Sequence, residues 1–320
     1  MDKIDVIAAG DLPAKTQSAL DASFTVHRLS HGESLPSAVA AKARGIARGG
    51  HFTIDAAFIE SLPKLEIIAN FGVGYDGIDL AVCAARGIVV TNTPDVLTEE
   101  VADTTLGLLL MTVRELSAAE RHLRAGQWPR VGPYPLTRAT LRDRTIGVVG
   151  LGRIGIAIAR RLDAMQVPVV YHNRTRRTDV PYRHYADLKE MAKAVDTLIS
   201  VLPGSAHTNK LIDADILEAL GPRGILINVG RGNVVDEAAL IAALKDGTIH
   251  AAGLDVFADE PNVPGELMAL PNAVLLPHVG SASVFTRDAM GQLCVDNLTS
   301  SFTTGRPLTP VPETPWKEKG

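Results

Sequence analysis

The chain has little cysteine: two residues, Cys83 and Cys294, in a sequence of 320. Thiols so few and so far apart exclude a disulfide framework and a cysteine metal cluster, and they predict a reducing compartment. No metal site is expected. Charge of neither sign dominates, since 32 Lys and Arg face 36 Asp and Glu for a formal net charge of −4. The basic surplus that nucleic acid or an anionic membrane surface would demand is therefore missing, and neither is predicted as a partner. No uncharged apolar run approaches the roughly 20 residues of a membrane span. The longest run, 104–113, reads as the core of a helix. Met1-Asp2-Lys3-Ile4-Asp5 is not a basic segment followed by an apolar one, and Lys317-Glu318-Lys319-Gly320 matches no retention or peroxisomal signal. The expected location is the cytoplasm. Solenoid repeats and low-complexity tracts are also lacking.

What is present is length for about two domains and an alternation of short apolar runs with helical stretches, the pattern of parallel sheets covered by helices. Strands are predicted at 4–9, 24–29, 45–48, 65–70 and 88–92, with helices at 35–43, 55–61 and 78–85. Thr98-Glu99-Glu100-Val101-Ala102-Asp103 then reads as an N-cap with acids in the first turn of a long helix near 98–124. An irregular Gly/Pro-rich passage, 126–135, carries Trp128. A second series follows, with strands at 145–149, 167–171, 197–202, 224–229, 251–254 and 273–276 and helices at 154–164, 187–194, 213–220 and 236–245. A long amphipathic stretch, 283–303, comes near the end. The predicted fold class is α/β, with two doubly wound parallel-sheet domains. A Rossmann dinucleotide-binding domain, 98–285, is inserted into a flavodoxin-like substrate domain formed by 1–97 and 286–320. A crevice between two such lobes is the expected ligand site.

Gly150-Leu151-Gly152-Arg153-Ile154-Gly155 has the G-x-G-x-x-G spacing, and it lies between a predicted strand and a predicted helix, the context the fingerprint requires. Gly150 permits a tight turn, Gly152 lets backbone approach a pyrophosphate, and Gly155 lets helix and strand pack closely. The start of the helix favours phosphate charge through its free N–H groups and dipole. A ligand-free glycine turn is the competing reading. After the next strand, an NAD site normally carries an acid for the ribose 2′-hydroxyl. Here the chain reads His172-Asn173-Arg174-Thr175-Arg176-Arg177, with no acid until Asp179. Asn173 and Thr175 can donate hydrogen bonds to a 2′-phosphate and Arg174 can pair with it. The expected cofactor is NADPH, with NADH possible; a solvated basic turn is the alternative.

Three polar residues fall where strands of the second series end, the face at which such sheets bind ligands. Arg231 follows the strand 224–229, Glu260 lies in the loop after 251–254, and His278 follows Pro277. Singly, each has a plain reading: a surface ion pair, a solvated loop acid, a loop histidine. Collectively they acquire a sharper one. Gly150–Gly155, Asn228-Val229-Gly230-Arg231-Gly232, Gly253-Leu254-Asp255-Val256-Phe257 with Glu260-Pro261, and Pro277-His278-Val279-Gly280-Ser281 together resemble the D-isomer-specific 2-hydroxyacid dehydrogenase family. Asn70-Phe71-Gly72-Val73-Gly74-Tyr75-Asp76 resembles that family's substrate loop. Asn173-Arg174 with Trp128 is similar to its NADPH-linked glyoxylate/hydroxypyruvate reductase branch.

The resemblance implies reduction of a small 2-oxo acid, glyoxylate or hydroxypyruvate, to an (R)-2-hydroxy acid. His278 would be the general acid, Glu260 would orient it and favour its charged form, and Arg231 would hold the carboxylate and carbonyl oxygen. Backbone N–H groups of Val73 and Gly74 would bind the carboxylate too. The nucleotide would lie along Gly150, Leu151, Gly152, Arg153, Ile154 and Gly155, with Leu202, Pro203 and Thr208 toward the adenine ribose. Val229, Arg231, His278 and Gly280 would also bind the cofactor, and Asp255 would sit beneath the nicotinamide. Asp255 would bond the carboxamide or support the site from behind. Trp128 would reach a partner subunit's substrate site in a homodimer, or simply anchor its own loop. Other readings stand beside this one: bulkier 2-oxo acids such as phenylpyruvate, phosphoglycerate dehydrogenation, and a non-catalytic corepressor that senses dinucleotide. Formate dehydrogenases carry Gln where Glu260 stands.

Overall fold

The computed structural model describes residues 3–316. The chain divides into two compact units, one ending at Leu97 and resuming at Ser283, the other spanning Thr98–Ala282. The second boundary falls three residues before the predicted one. The reason is local: the Ser283 hydroxyl accepts the Thr286 N–H at 3.1 Å, so the last helix is capped from 283 onward.

The first unit runs β1 (Asp5–Ala9), α1 (Ala14–Ser23), β2 (Thr25–Leu29), α2 (Ser37–Ala40), β3 (Gly45–Arg48), α3 (Ala56–Glu60), β4 (Ile67–Asn70), α4 (Leu80–Ala85) and β5 (Val89–Thr91). The five strands pair with one another in parallel, in the order β2-β1-β3-β4-β5, the flavodoxin-like arrangement. Strands β3 and β4 are buried at every residue, which is why they read as short apolar runs, each closed by one polar residue (Arg48, Asn70), rather than as alternations. Asp55 and Asp79 cap α3 and α4 by accepting the N–H groups of Phe58 and Val82. Helix α1 escaped the sequence reading because it buries only Thr16 and Leu20, one turn apart, too thin a stripe to stand out.

The second unit begins with α5 (Thr98–Val113), α6 (Leu116–Arg124) and α7 (Gln127–Val131). The single helix expected near 98–124 is thus two: Glu115 takes a left-handed φ of 53° and breaks the hydrogen-bond ladder. The passage expected to be irregular contains α7, set between Gly126 and Gly132, both at positive φ. Then follow β6 (Ile146–Val149), α8 (Arg153–Ala164), β7 (Val169–His172), β8 (Arg183–Tyr185), α9 (Leu188–Ala194), β9 (Thr197–Ser200) and α10 (Ala214–Leu220). After them come β10 (Ile225–Asn228), a 3₁₀ turn at Gly232–Val234, α11 (Glu237–Asp246), β11 (Ala251–Leu254), α12 (Gly265–Met268) and β12 (Ala273–Leu275). Strand β8, an edge strand of three residues without an apolar run, was not predicted. The parallel sheet has the order β12-β11-β10-β9-β6-β7-β8, a Rossmann sheet whose winding reverses between β6 and β9. Helix α13 (Val284–Thr304) belongs to the first unit, where Leu298 and Phe302 pack on Gly45 of β3. Both cysteines are free and buried. Among the described residues no helix is long and apolar enough to cross a membrane.

Candidate active site

At the reversal point, β6 runs into Gly150, whose φ of 100° suits glycine alone among common residues. Gly152 caps α8, and its N–H donates to the Gly150 carbonyl at 2.9 Å. A Cβ on Gly155 would sit 2.4 Å from the Gly150 oxygen, so helix and turn could not close with any side chain there. A Cβ on Gly152 would meet nothing within 4 Å. That pair of facts separates packing from access: Gly155 is required by the fold, whereas Gly152 faces open space beside the helix start, where Arg153 and Ile154 begin α8.

Asn173, just past β7, accepts the Leu151 N–H on Oδ1 at 2.6 Å. It therefore braces the glycine turn, a task the sequence reading did not assign to it. Its carbonyl meets Nε2 of His184 on β8 at 3.0 Å, so the unpredicted edge strand steadies the same turn. Arg174 and Thr175 are exposed beyond it. Asp179, the first acid after β7, is paired with Arg177. After β9, Leu202 fits between glycines: added Cβ atoms would lie 3.0 Å from its Cδ2 at Gly150 and 2.4 Å from its carbonyl oxygen at Gly230. The Thr208 hydroxyl donates to the Pro203 carbonyl at 2.7 Å and so shapes that loop from within.

The next strand ends in a buried Asn228. Its Nδ2 donates to the Arg231 carbonyl at 2.9 Å and its Oδ1 accepts the Gly230 N–H at 3.2 Å, which folds Val229, Gly230 and Arg231 into a fixed turn. Gly232 has no room for a side chain, because a Cβ would lie 1.8 Å from the Phe257 carbonyl carbon. From β11 the chain reaches Asp255, only 2% exposed. Its two carboxylate oxygens accept the N–H groups of Val279 at 2.7 Å and Gly280 at 2.8 Å. Burial pushes the Asp255 carboxyl above its usual range, and those two donors oppose the shift. Of the two roles considered, supporting the site from behind is the one these bonds favour.

His278 heads that tethered loop at φ 54°, and its own N–H donates to the Asp255 carbonyl at 2.9 Å. Nδ1 of its ring lies 2.7 Å from Oε2 of Glu260, while Oε1 accepts the Phe257 N–H at 3.0 Å. Asp255, Glu260, His278 and Gly280 are therefore gathered at one end of the sheet, beside the turn that carries Arg231.

In the first unit, β4 also ends in a buried Asn. Asn70 donates from Nδ2 to the carbonyls of Gly72 and Gly74, both at 3.0 Å, and Asn92 donates to that of Val73 at 3.0 Å. Buried Arg48 holds Asn70 in turn through Oδ1 at 2.5 Å. With the three carbonyls drawn inward, the N–H groups of Val73 and Gly74 make no hydrogen bond among the described residues. Sequence reasoning missed Arg48, Asn70 and Asn228 as braces. The available signal was an asparagine closing an otherwise apolar strand just before a glycine loop. Trp128, by contrast, is 60% exposed on α7 and joins no other predicted site residue by a hydrogen bond among the described residues.

A family model described as the NAD binding domain of D-isomer specific 2-hydroxyacid dehydrogenases matches residues 106–280, more than half of the chain. The chain belongs to that family. This dehydrogenase is 48% identical over 257 residues to glyoxylate/hydroxypyruvate reductase A of Arabidopsis thaliana, covering 80% of this chain and 82% of that one. It is 40% identical to hydroxyphenylpyruvate reductase of Plectranthus scutellarioides, over 97% of this chain and 100% of the other. Among solved structures, it superposes with a TM-score of 0.96 on an NADPH-dependent glyoxylate/hydroxypyruvate reductase from Sinorhizobium meliloti in complex with NADP and malonate. That protein is 52% identical, and the match covers 100% of both chains.

Proposed function

We propose that this dehydrogenase reduces small 2-oxo acids, glyoxylate and hydroxypyruvate, to (R)-2-hydroxy acids, with NADPH as the preferred donor and NADH as a poorer one. The observation that carries the reading is the 2.7 Å bond between His278 and Glu260, mounted on a loop that Asp255 ties down. When bound, the reduced nicotinamide supplies a hydride. His278 gives a proton to the carbonyl oxygen, and Glu260 holds Nδ1 so that Nε2 is the exchanging atom. Arg231 receives the substrate carboxylate and stabilises negative charge growing on the oxygen. Val73 and Gly74 offer backbone N–H groups to the same carboxylate class.

The open face at Gly152 supports a bound dinucleotide, and the run from Asn173 to Thr175 without an acid supports one bearing a 2′-phosphate. So does the NADP complex of the Sinorhizobium relative. The hydroxyphenylpyruvate reductase relative favours a second reading, in which a bulkier 2-oxo acid is the substrate. The test is kcat/KM for glyoxylate, hydroxypyruvate and phenylpyruvate with NADPH and with NADH. Rapid NADPH oxidation with the two small acids supports the proposal. A preference for NADH contradicts the cofactor assignment, and no turnover with any acid leaves the dinucleotide-sensing binding module.

A cytoplasmic homodimer completes the proposal. Leu116, Leu123, Trp128, Val131 and Leu136 are large apolar side chains exposed within one short segment, a surface suited to a second copy of the chain. The free, buried cysteines accord with a reducing compartment. Light scattering should give twice the chain mass for the wild type and a smaller value for Leu136→Glu. A monomeric wild type refutes the dimer.

A further inference from the structure

A planar trans peptide unit points its C=O and its N–H in opposite directions. Whatever holds the Gly72 carbonyl therefore aims the N–H of Val73, and whatever holds the Val73 carbonyl aims the N–H of Gly74. The Gly72 carbonyl accepts from Asn70 Nδ2 and from the Thr93 N–H, both at 3.0 Å. The Val73 carbonyl accepts from Nδ2 of Asn92 at 3.0 Å. The direction of the Gly74 N–H thus depends on how firmly Asn92 is held.

Asn92 is held by the segment that follows α13. Its N–H donates to the Thr309 carbonyl at 3.3 Å, and its carbonyl accepts the Thr309 hydroxyl at 2.6 Å. From there the segment runs along the outer edge of β5, whose free backbone groups it satisfies. Thr91 and Pro310 form an antiparallel bridge, the Val311 N–H donates to the Val90 carbonyl at 2.9 Å, and the Val90 N–H donates to the Thr314 hydroxyl at 2.9 Å. The segment is firmly seated. Val311 and Thr314 are buried, and so is Asn297 of α13. Asn297 accepts the N–H groups of Leu308 and Thr309, both at 3.0 Å, and donates to the Thr309 hydroxyl at 2.9 Å.

One side chain of the same segment reaches the loop directly. The Tyr75 hydroxyl donates to the Glu313 carboxylate, at 3.1 Å to Oε2 and 3.3 Å to Oε1. Burial, and then the Glu313 charge, pushes the Tyr75 hydroxyl up to about 12, so it stays protonated and donating near neutral pH. Two contacts therefore fall on either side of the Gly74 N–H. Thr309 acts through Asn92 on the peptide that carries it, and Glu313 acts on the side chain of the next residue.

We propose that residues 309–313 form a strap that positions the substrate loop, with Thr309 and Glu313 as positioning residues that set how tightly the Gly74 N–H binds the carboxylate of a 2-oxo acid. The inference rests on the reading of Val73 and Gly74 as carboxylate donors. The carboxylate is held alike before and during hydride transfer, so loosening the loop should raise KM and spare kcat.

Steady-state kinetics of the full-length protein with glyoxylate and NADPH tests the proposal. Glu313→Ala and Tyr75→Phe should each raise KM for glyoxylate about threefold to tenfold. Values of kcat, and of KM for NADPH, should stay within about twofold of wild type. The double variant should be no worse than either single one, because all three lose the same bond. Glu313 is exposed, so its variants keep the fold. Glu313→Gln should restore the wild-type KM, since its amide oxygen still accepts the Tyr75 hydroxyl. A role in fold stability alone would shift Tm and leave KM where it is. Thr309→Val keeps the backbone bonds of residue 309, loses the hydroxyl, and should raise KM in the same way. Titration with oxamate, a glyoxylate analogue whose carbonyl takes no hydride, separates this inference from the proposed activity. A wild type that turns over no 2-oxo acid refutes the activity, while oxamate binding that weakens in the same variants still upholds the strap. Wild-type KM in Glu313→Ala, Tyr75→Phe and Thr309→Val would overturn it, as would oxamate affinity equal in all forms or absent from all.

Discussion

The His278 Nδ1 and Glu260 Oε2 atoms are 2.7 Å apart although 18 positions separate the two residues in the chain. Two backbone tethers make that distance possible: Asp255 holds the residues after His278, and the Phe257 N–H holds the other oxygen of Glu260. Replacing Glu260 by Gln keeps the shape but removes the charge that faces the ring. With glyoxylate and NADPH, kcat should fall about tenfold to a hundredfold, and His278→Ala should forfeit the roughly 10²–10⁴ that acid catalysis supplies. Fluorescence titration should show NADPH affinity retained in both. Wild-type kcat in Glu260→Gln would remove the orienting role.

Arg231→Ala should lower kcat/KM for glyoxylate about 10²–10³-fold, near 3–4 kcal/mol of transition-state binding. Arg231→Lys should recover only part of this, since an ammonium group cannot grip a carboxylate with two parallel donors. Full recovery by lysine would show that charge alone is needed at this position.

Asn173→Asp is expected to turn the enzyme toward NADH. The new carboxylate can still accept the Leu151 N–H that Asn173 now accepts at 2.6 Å, so the glycine turn should survive. Its charge would repel a 2′-phosphate and attract a ribose hydroxyl. The ratio of kcat/KM with NADPH to that with NADH should drop about tenfold or more, as about 1.4 kcal/mol of like-charge repulsion implies. An unchanged ratio would move phosphate discrimination away from this turn.

Two glycine substitutions should separate folding from binding. Gly232→Ala drives a methyl group into the Phe257 backbone, at 1.8 Å, and should cost about 1–3 kcal/mol or more in urea unfolding. Gly152→Ala meets open space and should leave the unfolding midpoint nearly unchanged while weakening NADPH binding. Equal destabilisation by both would refute the distinction.

His250 should make stability sensitive to acid. Burial and Arg144 lower its folded value below the ordinary 6.5, so the unfolded chain binds the proton more readily. This contribution is complete above about pH 6.5 and is lost as pH falls through the folded value. His250→Asn should flatten the decline of Tm between about pH 7 and pH 5. A decline as steep as the wild type's would assign the acid sensitivity to other groups.

Much of the architecture was legible in local pattern. The runs Ile-Ile-Ala-Asn in β4 and Ile-Leu-Ile-Asn in β10 announce strands buried on both faces, and aspartates at 55, 79, 187, 213 and 236 cap the helices that follow them. The spacing of Gly150, Gly152 and Gly155 between strand and helix marks the dinucleotide turn, since each demand there is met within six consecutive residues. Helix α1, strand β8 and the break at Glu115 were not legible. Their residues carry weak apolar stripes or ordinary helix formers, and neighbours in space decide their conformation.

The sequence by itself determined the elements, their parallel class and the chemistry available at each strand end, because those depend on periodicity and residue type over a few turns. Only the tertiary structure decided that Asn173 braces Leu151 and that Phe257 forbids a side chain at 232, and it set at 2.7 Å the contact of Glu260 with His278 that the family resemblance implied. Such relations join residues whose separation along the chain says nothing of their distance in space. They arise from the strand order and from which loop ends fall at the same edge of the sheet.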